Sequence, residues 1–114
     1  MHEYSLVEAL IGRVEAEARQ RRALAVHGLS VRIGELAGVD PELFQTAYDT
    51  FRAGTICADA PLTLRRVPAT WACPRCRAPI PRGEVLRCAG CDEPARLDEG
   101  SDALTLDAID LEVP

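Results

Sequence analysis

Lysine is missing from this sequence altogether: all 13 basic residues are arginine, a bias we ascribe to genome composition. A long uncharged apolar run is missing as well. The first thirty residues carry Glu3, Glu8, Arg13, Glu15, Glu17, Arg19, Arg21 and Arg22, which excludes a membrane span or a secretory apolar core there. The expectation is a cytoplasmic protein with no membrane partner. There is no basic excess: a net charge of -5 and a pI near 5.0 argue against nucleic-acid binding driven by general electrostatics. No phosphate-cradling glycine motif, nucleophile elbow or H-E-x-x-H pattern is present, so the usual enzyme signatures are absent. Internal repeats and low-complexity segments are absent too. What is left, in 114 residues, is one compact domain or a small domain carrying a metal-stapled module.

Against these absences stand five cysteines, four of them in two C-x2-C pairs: Cys73-Pro-Arg-Cys76 and Cys88-Ala-Gly-Cys91. Two residues between paired cysteines let one tight turn aim both sulfurs at a single ion, and four thiolates suit tetrahedral Zn(II). Pro74 stiffens the first turn, and Gly90 is expected to take the left-handed backbone conformation that the second needs. Between the pairs, Pro79, Pro81 and Gly83 precede Glu84-Val85-Leu86-Arg87, which predicts a short hairpin returning the second pair to the first. Two redox or disulfide pairs are the competing explanation, but neither C-x-x-C lies between a strand and a helix, and nothing points to an oxidising compartment. Four protein ligands leave no open position for substrate, so this zinc should hold the fold. A ribbon of roughly thirty residues buries too little apolar surface to fold without it. The fifth cysteine, Cys57, reads as a small buried apolar residue.

Along the chain, Ser5-Leu-Val-Glu8 has the form of a capping box and predicts a helix starting at Ser5 and ending near Arg22, with Met1 to Tyr4 outside it as a short arm. Leu6, Val7, Leu10, Ile11, Val14 and Ala18 give this helix an apolar stripe. Leu29, Val31 and Ile33 alternate with polar residues as a strand ending at or just after Gly34. Asp40-Pro41 opens a second helix as N-cap and first helical position, with Leu43, Phe44, Ala47, Tyr48 and Phe51 as its apolar face and Gly54 as its stop. Leu62 to Val67 form a second strand with Pro68 at its exit. Leu104, Leu106, Ile109, Leu111 and Val113 form a third strand, whose apolar phase slips by one residue near Ala108 and so predicts a bulge. The sum is an α+β fold: two helices on a three-stranded mixed sheet, with a four-cysteine zinc ribbon inserted between the second and third strands. The expected division is an α/β domain over residues 1–68 plus 103–114 and a zinc-ribbon domain over 69–102. Those two strands are expected to be sheet neighbours, so that both ends of the ribbon are anchored and it moves as a semi-independent lobe.

Met1-His2-Glu3 is a second metal candidate. A free α-amine, the amide nitrogens after it and the His2 imidazole are nitrogen donors only a few bonds apart, and deprotonated amides favour the square-planar geometry of Ni(II) or Cu(II) over Zn(II). A histidine at position 2 is otherwise an uneventful surface residue. His27 reads as a surface or packed imidazole, Glu35 as a polar strand-end residue or part of a partner surface, and Asp40 as an N-cap.

Taken together, Met1-His2-Glu3, Ile33-Gly34-Glu35-Leu36 with Gly38-Val39-Asp40, Phe44 and Phe51, Val67-Pro68, the paired C-x2-C and the terminal strand resemble the HypA/HybF family of nickel-incorporation proteins over essentially the whole chain. Gly100-Ser-Asp-Ala103 departs from the family's usual, more charged turn, but touches no ligand. The resemblance implies a mixed α/β nickel domain carrying a zinc ribbon, and a metallochaperone that is not an enzyme. It implies Ni(II) as transferable cargo, held by His2 with the Met1 amine, the following amides and Glu3, and with Asp40 near the site. Met1 would have to stay uncleaved. The implied partners are a HypB-type nickel GTPase and the large subunit of a [NiFe]-hydrogenase, and in some members the urease maturation proteins.

The alternative is a zinc-ribbon protein- or nucleic-acid-interaction module without nickel function. Arg75, Arg77, Arg82 and Arg87 make the ribbon locally basic. No aromatic residue for base stacking lies between Cys73 and Cys91, however, and an acidic protein partner explains the arginines equally well.

Overall fold

The computed structural model describes residues 2–83 and 85–114. Among them α1 (His2–Gln20), β1 (Ala25–Gly34), α2 (Pro41–Phe51), β2 (Leu62–Val67), β3 (Trp71–Ala72), β4 (Pro79–Ile80), β5 (Arg96–Leu97) and β6 (Leu104–Glu112) follow in order.

Helix α1 buries Glu3, Val7, Leu10, Ile11, Val14 and Ala18 along one stripe, and that stripe begins a turn earlier than the capping box at Ser5 predicts. Ser5 is exposed inside the helix, and the residues before it are helical rather than a free arm; Met1 lies outside the described residues. Tertiary contacts account for the extra turn. The Tyr4 ring meets Phe51 edge-on at 5.2 Å between centroids, and the Glu3 carboxylate accepts from the Asp40 amide at 3.1 Å. Packing of this kind outweighs a local cap, because isolated first turns are intrinsically weak. Helix α2 starts where the sequence predicts: Asp40 Oδ1 accepts from the Glu42 and Leu43 amides at 3.0 and 3.3 Å, and Pro41 occupies the first turn. Phe44, Ala47 and Tyr48 are buried, and Cys57 packs into the same cluster with no exposed surface.

The main sheet is mixed, in the order β2-β1-β6. β1 runs parallel to β2 and antiparallel to β6, and it starts at Ala25, four residues before the alternation that marks it in sequence, because β6 is long enough to pair there as far as Glu112. The predicted bulge is present: Ser30 faces Ala108 and Val31 faces Leu106, leaving Asp107 as the extra residue. Asp107 Oδ1 accepts from Arg32 Nε at 2.6 Å. His27 pairs with Glu112 at the exposed far end of β1, away from any cluster of possible metal ligands. The second and third strands are not neighbours, as the sequence reading supposed. They flank β1 on opposite edges, successive residues of β1 turning their amides to one side and then the other: Gly34 toward β6 and Glu35 toward β2.

Between β2 and β6 the chain forms a second, antiparallel sheet in the order β4-β3-β5, with Trp71 opposite both Ile80 and Leu97. The hairpin predicted in the stretch from Arg77 to Arg87 runs through Glu84, which lies outside the described residues. Arg87 makes a single bridge to Pro94. Ala78 turns its carbonyl to Cys73, so Pro79 and Pro81 face outward. Neither has an N–H to offer a further strand.

One short loop holds both ends of this ribbon. The Gly34 amide donates to Ala103 O, the Glu35 amide to Val67 O and the Leu36 amide to Ser101 O, at 2.9, 2.8 and 2.8 Å. A Cβ on Gly34 would overlap the backbone of Gly100 and Ser101, so only glycine fits under this crossing. Glu35 then reaches across the junction. Its carboxylate accepts from the Ala69 amide at 2.9 Å and takes a two-pronged contact from Arg82 at 2.6 and 2.5 Å. Arg82 also lies over the Trp71 ring at 5.7 Å. The Arg82 guanidinium and the Ala69 amide pull the Glu35 carboxyl down to about 2, so the bridge stays ionised throughout the neutral range. Both side chains are substantially exposed, and such pairs add at most about 1 kcal/mol; the bridge orients the ribbon more than it stabilises it.

Candidate metal centres

Each C-x2-C pair sits on a turn closed by its own backbone. The Arg77 amide donates to Cys73 O and the Asp92 amide to Cys88 O, both at 2.9 Å, and both residues take positive φ, 64° and 54°. Amides inside the turns point at sulfur. The Arg75 and Cys76 amides lie 3.4 and 3.5 Å from Cys73 Sγ, and the Cys91 amide lies 3.4 Å from Cys88 Sγ. The four sulfurs of Cys73, Cys76, Cys88 and Cys91 lie within 4.8 Å of one another, with Cys76 and Cys88 at 3.7 Å. A tetrahedron with Zn–S bonds of about 2.3 Å has sulfur–sulfur edges of about 3.8 Å. The donors and the spacing therefore fit zinc.

The electrostatics call for a cation. Amide donation, first from Cys76, holds the Cys73 thiol down at about 7, while the neighbouring sulfurs, Cys76 first, push Cys91 up to about 12. One thiolate is easily made here and the last is strongly opposed. A divalent ion at the centre removes that opposition.

Of the other sequence-predicted ligands only Glu3 and Asp40 are brought together, at the start of α1; His2 joins no cluster of possible ligands among the described residues, and Met1 lies outside them. His2 is exposed, whereas Glu3 is 8% exposed, and its carboxyl is held below the usual range chiefly by the Asp40 amide. The structure thus brings Glu3 and Asp40 together from 37 residues apart. It also shows Asp40 engaged as a cap. Asp40→Ala should cost about 1 kcal/mol of unfolding free energy, seen as a lower denaturant midpoint, whereas Asp40→Asn should keep the midpoint unchanged. Any nickel affinity lost even in the asparagine variant, which keeps the cap, is then assignable to the carboxylate.

A family model described as "Hydrogenase/urease nickel incorporation, metallochaperone, hypA" matches residues 1–111. The chain belongs to the HypA family. The family consists of metallochaperones, so this member is not an enzyme. A hydrogenase maturation factor HypA from Shewanella oneidensis is 36% identical over 101 residues, covering 89% of this chain and 73% of that protein. One from Aquifex aeolicus is 33% identical over 115 residues, covering 99% of each. The solution structure of the Ni metallochaperone HypA from Helicobacter pylori superposes with a TM-score of 0.70 at 26% identity, over 98% of both chains. A second HypA solution structure reaches 0.77 at 27% identity, over 100% of this chain and 98% of the other. Hydrogenase nickel maturation and a four-cysteine metal site are therefore established for this HypA-family chain at the level of the family and the ligand cluster.

Sequence reasoning missed the role of Arg82 as the partner of Glu35, 47 residues away. No local spacing signals it. The prolines beside Arg82 announced a turn, not a contact with the other sheet.

Proposed function

We propose that this chain carries Ni(II) at Met1, His2 and Glu3 and delivers it during [NiFe]-hydrogenase maturation, while Zn(II) at Cys73, Cys76, Cys88 and Cys91 holds the ribbon. The observation that carries the nickel reading is the placement of Glu3 on the Asp40 amide directly behind an exposed His2, in a first helical turn. The first four amides of a helix lack intrahelical acceptors, and the Glu3 amide is met here only by its own carboxylate. A cation meets the wrong end of the helix dipole there. Amide deprotonation removes the offending dipoles, and the Glu3 and Asp40 carboxylates add negative charge beside the cargo. Such a site selects for strong nitrogen ligation yet lies at an exposed terminus from which an ion can leave.

By family likeness the recipients are the hydrogenase large subunit, approached with a HypB-type GTPase, and in a second setting the urease maturation proteins. No described helix is long and apolar enough to cross a membrane, which is compatible with a cytoplasmic setting. The division into residues 1–68 plus 103–114 and residues 69–102 belongs to the same proposal: cargo on one part, zinc on the other.

The test is a calorimetric nickel titration of zinc-loaded protein with its native Met1 start, beside protein extended by one N-terminal residue. One tight site is expected in the first and none in the second. Equal binding in both would place nickel elsewhere, and no binding in either would favour an interaction module.

A further inference from the structure

The ribbon carries a groove of about 960 Å³ on the face that holds Trp71. Its floor is apolar, with Ile80, Pro79 and Pro81 beside the half-buried Trp71 ring. Its rim carries both signs, with Arg77, Arg82 and Arg96 beside Asp98 and Glu99. Of the ribbon arginines, Arg75 lies 3.9 Å from Glu93, Arg82 is matched to Glu35 and Arg87 contacts Asp92. Arg77 and Arg96 line the groove, are exposed and have no ion-pair partner among the described residues.

The position of Arg77 adds a second observation. The residue closing each cysteine turn takes a left-handed backbone. Aspartate, which tolerates that conformation, fills it in the second turn, but the first turn has a long side chain that gains nothing from it. Glycine would serve the turn better and would project no charge.

We propose that this groove docks an acidic segment of a partner protein, with one apolar side chain against Trp71 and flanking carboxylates on Arg77 and Arg96. Arg77 and Arg96, without ion-pair partners among the described residues, offer two point contacts for carboxylates on either side of an apolar side chain. Asp98 and Glu99 line the groove as well. A nucleic acid, with a phosphate at every step, would meet them, whereas a peptide can set its charges only where cations wait. The inference uses no property of the nickel arm, so it stands or falls separately from the cargo reading.

Trp71 is the only tryptophan, and its fluorescence reports directly from the groove. Zinc-loaded protein is titrated with the blocked peptide Asp-Glu-Leu-Glu-Asp, with the same peptide carrying lysine at each acidic position, and with oligothymidylate. Saturable change in Trp71 emission is expected with the acidic peptide alone, weakening as salt rises. Arg77→Gly combined with Arg96→Gln should weaken it at least about tenfold, the equivalent of one lost charge-assisted contact. Arg77→Gly alone should keep zinc stoichiometric and leave the thermal stability of the ribbon equal or higher. No saturation below about 1 mM, equal response to the lysine peptide, preference for oligothymidylate, or unchanged affinity in the double variant would each overturn the proposal.

Discussion

Replacing Cys73 with alanine should release zinc and unfold the ribbon while the helix-and-sheet core stays compact. The size of the effect follows from how little else holds the ribbon. Its buried cluster is Cys73, Ile80 and Cys88, with Trp71, Cys91 and Ala95 packed partly against it, so two of its three buried members are themselves ligands. Its three strands are two residues long each. Structural zinc in comparable peptides contributes about 10–16 kcal/mol, more than these contacts can replace. The main core draws on α1, α2, β1 and β2, from Val7 to Leu62, and includes no residue of the ribbon. Zinc stoichiometry and amide hydrogen exchange give the readout. Protection should vanish over the ribbon strands and survive in β1. Loss of protection throughout would show that the main core depends on the metal and would refute a two-part molecule.

Replacing His2 with alanine should abolish tight nickel binding and leave zinc stoichiometric. Removing a group that merely orients a ligand costs about 10–100-fold in metal affinity, so loss of the only side-chain nitrogen at the terminus should exceed about 100-fold. The variant should fold normally, because His2 is exposed and makes no side-chain hydrogen bond among the described residues. The pH dependence has a definite sign. An α-amine with an ordinary pKa of about 7.7–8.0 must lose its proton to bind, as must an imidazole and the amides, so affinity rises with pH and falls on acidification. Glu3, already held below the usual carboxyl range, should contribute nothing to that slope near neutrality. Unchanged nickel affinity in the alanine variant would remove the N-terminal assignment.

The elements that could be read from sequence are those with a local cause. Asp40-Pro41 fixes the start of α2 through its own side chain and ring, and the one-residue phase slip in the last strand marks a bulge that the register confirms at Asp107. The four thiols were legible because a C-x2-C turn aims its own sulfurs. What failed depended on distant partners. Ser5 and Glu8 form a plausible cap, but Phe51 and the Asp40 amide draw the preceding turn into the helix. The strand order escaped because alternation in β1 says which residues are buried, not which strand lies on which edge. The Glu35–Arg82 bridge escaped for the same reason: each residue is ordinary until the fold sets them face to face.

The chain leaves the main sheet at Val67 and returns at Leu104, and these residues sit beside Gly34 and Ile33 at the same end of β1. Two strand spacings, about 10 Å, separate exit from return. Three or four extended residues span that distance. The ribbon is therefore an excursion that adds nothing to the pairing of the main sheet. A different insert could be spliced between these points without moving a single register, while the end that begins with His2 and Glu3 is left as it is.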